Sequence, residues 1–108
     1  MKILILVPIY NDWQSASKLL EEINSNIAGL ECQFSVIIVN DASSEKQSIS
    51  ALNTENLRYI KIMNMNENRG HARCIATGLK HIFEKEEFDY VIPMDGDGED
   101  RPEEIKNF

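Results

Sequence analysis

Four carboxylates fall within six residues at Asp95, Asp97, Glu99 and Asp100, directly after the apolar run Tyr90-Val91-Ile92-Pro93-Met94. That run predicts a short buried strand, so the acidic cluster begins where the strand ends. Gly96 and Gly98 let the backbone turn sharply and keep the carboxylates exposed. Hard oxygen donors crowded on a loop suit a divalent cation, Mg²⁺ or Mn²⁺, above all one shared with phosphates. A solvated acidic turn is the alternative, and the remainder of the chain decides between them.

Other residues with chemical capacity stand after other apolar runs. Asp41 can accept a hydrogen bond from a base N–H, or equally cap a helix through an Asx turn. Tyr10 can stack on a base or simply pack at a strand end. Asn68-Arg69-Gly70 precedes a helical pattern whose N-terminus suits a diphosphate, with Arg69 or Arg73 adding positive charge or lying on a solvated helix face. Several familiar motifs are absent. There is no G-x-x-x-x-G-K-[ST] loop, and Gly96-x-Gly98 has Arg101 where a dinucleotide fingerprint needs its third glycine. An EF-hand from Asp95 needs glycine at Asp100 and glutamate at Lys106. His71 and Cys74 share a helix face, but two ligands do not make a zinc site.

The elements that position these residues alternate. Apolar runs at Ile3–Val7, Phe34–Val39, Leu57–Met63 and Tyr90–Met94 predict strands. The first two are almost pure Val, Ile and Leu, as in parallel strands covered on both faces. The third carries Arg58 and Lys61, charges that suit a sheet edge. Ala16, Leu19, Leu20, Ile23 and Ile27 share one helical face, with Asp12 as N-cap and Gly29 as stop. Ser44 and Gln47 predict a capped short helix that buries Ile49 and Leu52. Ala72, Ile75, Ala76, Leu79, Ile82 and Phe83 form a further helical stripe, and Gly78 within it predicts close backbone packing. A last helix is predicted to open after Pro102. Such alternation specifies a parallel α/β sheet with right-handed crossovers. The C-terminal ends of parallel strands share one edge, so all four polar segments land together there.

Composition narrows the partners. The 108 residues suit a single domain able to bury roughly two thirds of its unfolded surface. A net charge of −7 argues against nucleic acid or an anionic membrane as the main partner. Six carboxylates lie in the last fourteen residues, so an anionic ligand there requires a bridging cation. Cys32 and Cys74 are expected as free thiols in a reducing compartment. No apolar run is long enough for a membrane span, and the N-terminal run is too short for a signal peptide, which makes the cytoplasm the default location.

Four segments, Val7-Pro8-Ile9-Tyr10-Asn11-Asp12, Val39-Asn40-Asp41-Ala42-Ser43, Asn68-x-Gly70 with Ala76-x-Gly78-Leu79, and Met94-Asp95-x-Asp97-x-Glu99-Asp100-x-Pro102, resemble family 2 glycosyltransferases. The resemblance spans nearly the whole chain, and the acidic loop is similar to the dolichyl-phosphate mannose synthase branch. It implies the nucleotide-binding half of a GT-A fold, a Rossmann-like parallel sheet in the order 3-2-1-4, truncated within its domain. It also implies that Pro8, Tyr10, Asp12 and Asp41 line a base and ribose pocket. Asp95 and Asp97 would be the Asp-x-Asp pair, touching ribose and metal-bound diphosphate, and Glu99 a further metal contact. Asn40 and Ala42 depart from the family's commoner Asp and Gly. The implied reaction is inverting sugar transfer from a nucleotide diphosphate donor to an unidentified acceptor, with the general base beyond residue 108.

In that setting Arg69 and Gly70 join the nucleotide site, and the parent protein is expected at the cytoplasmic membrane face. An exposed edge of the fourth strand is expected to favour self-association. Two other functions fit the residues: a non-catalytic nucleotide-binding module, and a small doubly wound regulatory domain that binds Mg²⁺ around a phospho-accepting carboxylate.

Overall fold

The computed structural model describes residues 1–44, 49 and 53–94. Its elements alternate as expected: β1 (Lys2–Ile9), α1 (Trp13–Ile27), β2 (Gln33–Asn40), β3 (Leu57–Asn64), α2 (His71–Lys85) and β4 (Tyr90–Pro93). All three strand pairings are parallel, and the sheet order is β3-β2-β1-β4. The predicted helices after Ser44 and after Pro102 lie outside the described residues.

Alternation along β1 sends side chains to both faces. Ile3, Ile5, Val7 and Ile9 pack with Phe34, Val36 and Ile38 beneath α1, while Leu4 and Leu6 join Ile37 and Val39 beneath α2. The sheet is therefore covered on both sides, which explains why β1 and β2 read as unbroken apolar runs. Asp12 caps α1, its carboxylate accepting from Ser15 N–H at 3.3 Å. Gly29, at φ +82°, supplies the left-handed turn that ends the helix.

Pro8 lies within β1, a central strand, where a missing N–H normally breaks a ladder. The Met94 N–H donates to the Leu6 carbonyl, so even-numbered β1 residues face β4. Pro8 is two residues beyond Leu6, and β4 ends at Pro93, the partner of Leu6. The ladder has therefore run out where the N–H is lacking. The same alternation turns Pro93 away from β1, so its hydrogen-free nitrogen faces the open edge. Within β4 the outward-facing N–H belongs to Val91.

The buried line of α2 differs from the predicted stripe. Cys74, Gly78 and Ile82 are buried, whereas Ala72, Ala76 and Phe83 are exposed. Gly78 is the reason. A Cβ there would stand 2.6 Å from Leu6 Cδ1 and 2.8 Å from Val39 Cγ2, so the helix seats directly on the sheet through this residue.

The far end of α2 is fastened to the edge strand. Glu86 accepts from Tyr59 Oη at 3.0 Å, from Lys61 Nζ at 3.0 Å and from His81 Nε2 at 3.1 Å. Lys61 Nζ also lies 4.8 Å from the centre of the Tyr59 ring, a cation–π contact. Lys61 is thus both an edge charge and a structural tie. Burial raises the Glu86 pKa, but hydrogen bonds from Lys61, Tyr59 and His81 outweigh it and hold the carboxyl below its ordinary value.

Two outcomes are expected. Gly78→Ala gains about 1 kcal/mol of helix propensity and loses about 1–3 kcal/mol to overpacking against two fully buried side chains. The urea midpoint should therefore fall; a rise would mean that the core yields around the methyl. The Glu86 contribution is present above the ordinary glutamate pKa and is lost as pH falls through the depressed folded value. Acid titration followed by circular dichroism should show wild type losing more stability below that point than Glu86→Gln.

Candidate functional site

Three strand-end segments meet at the C-terminal edge of the sheet and are wired together. Both oxygens of Asp41 are engaged: Oδ1 accepts from Arg69 N–H at 2.8 Å and Oδ2 from Gly70 N–H at 2.9 Å. The side-chain amide of Asn68 donates to the Asp41 carbonyl at 3.2 Å. Asp41 is 4 % exposed, so its charge is stabilised mainly by these amides. These contacts tie the end of β2 to the start of α2, 28 and 29 residues away, and are not a local Asx turn. Each oxygen keeps a second lone pair for another donor.

Asn40 organises the other loops. Its Nδ2 donates to Asn64 Oδ1 at 3.0 Å, and its Oδ1 accepts from Ser43 N–H at 3.0 Å and from Ser43 Oγ at 2.5 Å. Ser43 Oγ in turn accepts from Asn11 N–H at 2.8 Å. The ends of β1, β2 and β3 are thereby joined through one amide. Asn11 and Ala42 both have positive φ, +65° and +55°. Asn tolerates this region, whereas Ala costs about 1–2 kcal/mol. The departure noted at Ala42 is a place where glycine would relieve strain.

Gly70, the N-cap of α2, has φ +92° and ψ 163°, a region open essentially to glycine alone. Among the described residues no side-chain capping hydrogen bond is made at the start of this helix.

Pro8, Ile9, Tyr10, Asp41, His71 and Cys74 line a concavity of about 80 Å³. The structure thus brings Pro8, Tyr10 and Asp41 together in one concavity. Tyr10 is 52 % exposed, its ring at the mouth. Cys74 donates its thiol to the Val39 carbonyl at 3.3 Å, and burial together with the nearby Asp41 raises its pKa to about 11. That thiol is a packing group rather than a nucleophile.

Other expected members are placed differently. Arg69 and Gly70 contribute backbone N–H groups to Asp41. The Arg69 guanidinium pairs with Glu67 at 2.6 Å and lines a separate concavity of about 510 Å³ outside β3, with Arg73, Asn64 and Met63. Asp12 spends its carboxylate on the α1 cap. Asp95, Asp97 and Glu99 lie outside the described residues, among which no group of three His, Cys, Asp or Glu side chains gathers to hold a metal ion.

His71, weighed in the sequence only as half of a zinc pair with Cys74, is placed in the wall of the concavity, and sequence reasoning missed the Asn40–Ser43–Asn64 lattice. The lattice spans 24 residues between its two asparagines, and no local pattern announces it.

Asp41→Asn tests the tie. An amide nitrogen in place of one oxygen leaves a backbone N–H without an acceptor, a loss of about 1–3 kcal/mol. Hydrogen exchange at the Arg69 and Gly70 amides should accelerate relative to the α2 interior. Unchanged protection would show that these bonds do not hold the loop.

The chain is similar to named proteins across nearly its full length. It is 34% identical over 107 residues to the undecaprenyl-phosphate 4-deoxy-4-formamido-L-arabinose transferase of Proteus mirabilis (strain HI4320), covering 96% of this chain and 31% of that protein. The transferase of the same name from Photorhabdus laumondii is 32% identical over 107 residues, with the same 96% and 31% coverage. The crystal structure of S. aureus TarS superposes with a TM-score of 0.61 at 25% identity, over 90% of this chain and 17% of that one. The chain thus spans about a third of the length of these curated relatives. Their name also corrects one expectation: these relatives are formamido-arabinose transferases, and the mannose synthase branch is unsupported. Residues 4–108 match the description Glycosyl transferase family 2, the three-loop edge lies where open α/β sheets bind ligands, and the chain belongs to that family.

Proposed function

We propose that this chain is the donor-binding part of an enzyme that moves a sugar from a nucleotide diphosphate to a lipid-phosphate acceptor of the undecaprenyl-phosphate class. The observation that carries this reading is the concavity shared by Pro8, Tyr10 and Asp41 at the convergence of three wired strand ends. Tyr10 and Pro8 supply apolar faces, and the free lone pairs of Asp41 accept a base N–H. The uncapped first turn of α2 offers amides to a diphosphate. The acceptor class comes from the names of the relatives, and with it the cytoplasmic membrane face as working location. No helix among the described residues is long and apolar enough to cross a membrane.

The donor set Asp95, Asp97 and Glu99 has the hard-oxygen chemistry that Mg²⁺ or Mn²⁺ requires. When bound, such an ion would neutralise charge developing on the departing diphosphate. The chain's own residues bind and orient the donor. Inversion, with the acceptor deprotonated by a base outside residues 1–108, follows the family pattern.

Titration calorimetry with UDP and GDP, with and without Mn²⁺, tests this function. Affinity should rise with metal, and Asp97→Ala should abolish that difference while leaving metal-free binding in place. Equal affinity under both conditions would remove the metal bridge. Absence of any nucleotide binding by the folded chain would remove the donor-site reading itself.

A further inference from the structure

Arg69 and Arg73 read in the sequence as ligands of a diphosphate or as a solvated helix face, and the structure gives their guanidinium groups another place. Both line the concavity of about 510 Å³ outside β3, apart from the one that Pro8, Tyr10 and Asp41 share. Its volume falls within the range of about 300–1,000 Å³ usual for small-molecule sites. Among the described residues its wall holds both arginines and no aspartate or glutamate, in a chain with 18 acidic side chains against 11 basic ones. The local sign is opposite to that of the chain.

The donors here carry little internal claim. Arg73 is exposed and pairs with no carboxylate among the described residues. Thr77 follows it by one turn on the same side of α2. Arg69 pairs with Glu67, but both side chains are exposed, and a pair of that kind is weak enough to share its guanidinium with a second anion. Asn64 spends its carbonyl oxygen on Asn40 and keeps its own NH₂ group as a donor. The backbone adds to these. The Met65 N–H donates to the Asn40 carbonyl, so odd-numbered β3 residues face β2 and the Asn64 N–H faces the open edge. Beneath the donors the floor is apolar: Met63 and Met65 are half-buried and packed against the core under α2. Thioether side chains adapt to irregular apolar groups.

We propose that this concavity binds a phosphate ester, with its anionic head on Arg73 and Arg69 and its apolar part on Met63 and Met65. The guanidinium fork matches phosphate oxygens bidentately, and the Thr77 and Asn64 donors serve those that remain. Inorganic phosphate would leave the methionines wet, and a neutral alcohol would leave the arginines unmet. The site stands apart from the donor-site function proposed above and does not depend on it.

The full 108-residue chain, with isotope-labelled methionine methyl groups, is titrated with hexyl phosphate. Met63 and Met65 should shift, while Met1 and Met94 serve as internal controls. Arg73→Gln should weaken binding about five- to tenfold, and Arg73→Lys, a point charge without the fork, by less. Arg73 is exposed, so both variants keep the fold. Inorganic phosphate should bind about threefold more weakly or worse. Hexanol should leave the methyls unmoved, and excess UDP with Mn²⁺ should leave hexyl phosphate in place. No shift at Met63 and Met65, or equal affinity in Arg73→Gln, overturns the site. Inorganic phosphate bound as tightly as the ester overturns the methionine floor, and equal shifts with hexanol overturn the anionic head. Displacement by UDP puts the anion on the donor edge and overturns a separate site, whereas UDP that fails to bind at all counts against the donor-site function alone. Vesicles of phosphatidylglycerol, with phosphatidylcholine as control, identify the source. Co-flotation of wild type but not of Arg73→Gln assigns a lipid headgroup, and hexyl phosphate binding without flotation assigns a soluble ester.

Discussion

One buried carboxylate holds the functional edge in register. Asp41 closes the end of β2, and its two oxygens take the amides of Arg69 and Gly70, so the strand fixes the point at which α2 begins. The other anchor of that helix is a side chain that is missing, at Gly78, where Leu6 and Val39 come up against the backbone. Two fixed points define the line of a rod. With the first turn held at the strand ends and the middle pressed on the sheet, His71 and Cys74 have one place to be, beside Tyr10 and Asp41. The polar site is thus a consequence of how closely an apolar helix approaches an apolar sheet.

Legibility in the sequence followed the range of the interaction. β1 and β2 declared themselves because burial on both faces leaves no room for polar alternation, and β3 because Arg58 and Lys61 are tolerable at an edge. The α1 cap at Asp12 and the stop at Gly29 are decisions made within a few residues. The orientation of α2 was harder. Ala72, Ala76 and Phe83 look like core in a periodicity count, yet the glycine at 78 turns the helix so that its smallest residue, not its largest, meets the sheet. The role of Asp41 was legible as two alternatives, and its tie to amides 28 and 29 residues away is visible only once the chain is folded. The backbone of Arg69 binds Asp41, while its guanidinium pairs with Glu67, a split that the sequence does not announce. The acidic loop lies outside the described residues, so its placement rests on sequence.

A division of labour follows. Asn40, Ser43 and Asn64 have polar side-chain atoms turned on one another, Asp41 holds the amides of Arg69 and Gly70, and together they act as a frame. Tyr10, 52 % exposed, stands at its rim. Frames of this kind let contact residues vary while the geometry stays, because a change at the rim does not unpick the hydrogen bonds beneath it. Ala42, in a left-handed conformation inside the frame, shows the opposite case: the lattice tolerates strain because its bonds over-determine the turn.

Pro93 has a consequence for how this sheet meets its surroundings. Among the described residues no strand pairs with β4 on its far side, Tyr90 is 59 % exposed and Phe83 on α2 is 68 % exposed. A strand added along that side would find Val91 as the one amide donor within four residues and a proline ring where the next should be. Extension of the sheet by backbone templating is therefore interrupted after one rung. Among the described residues, the β4 edge is therefore a poor backbone template for a further strand.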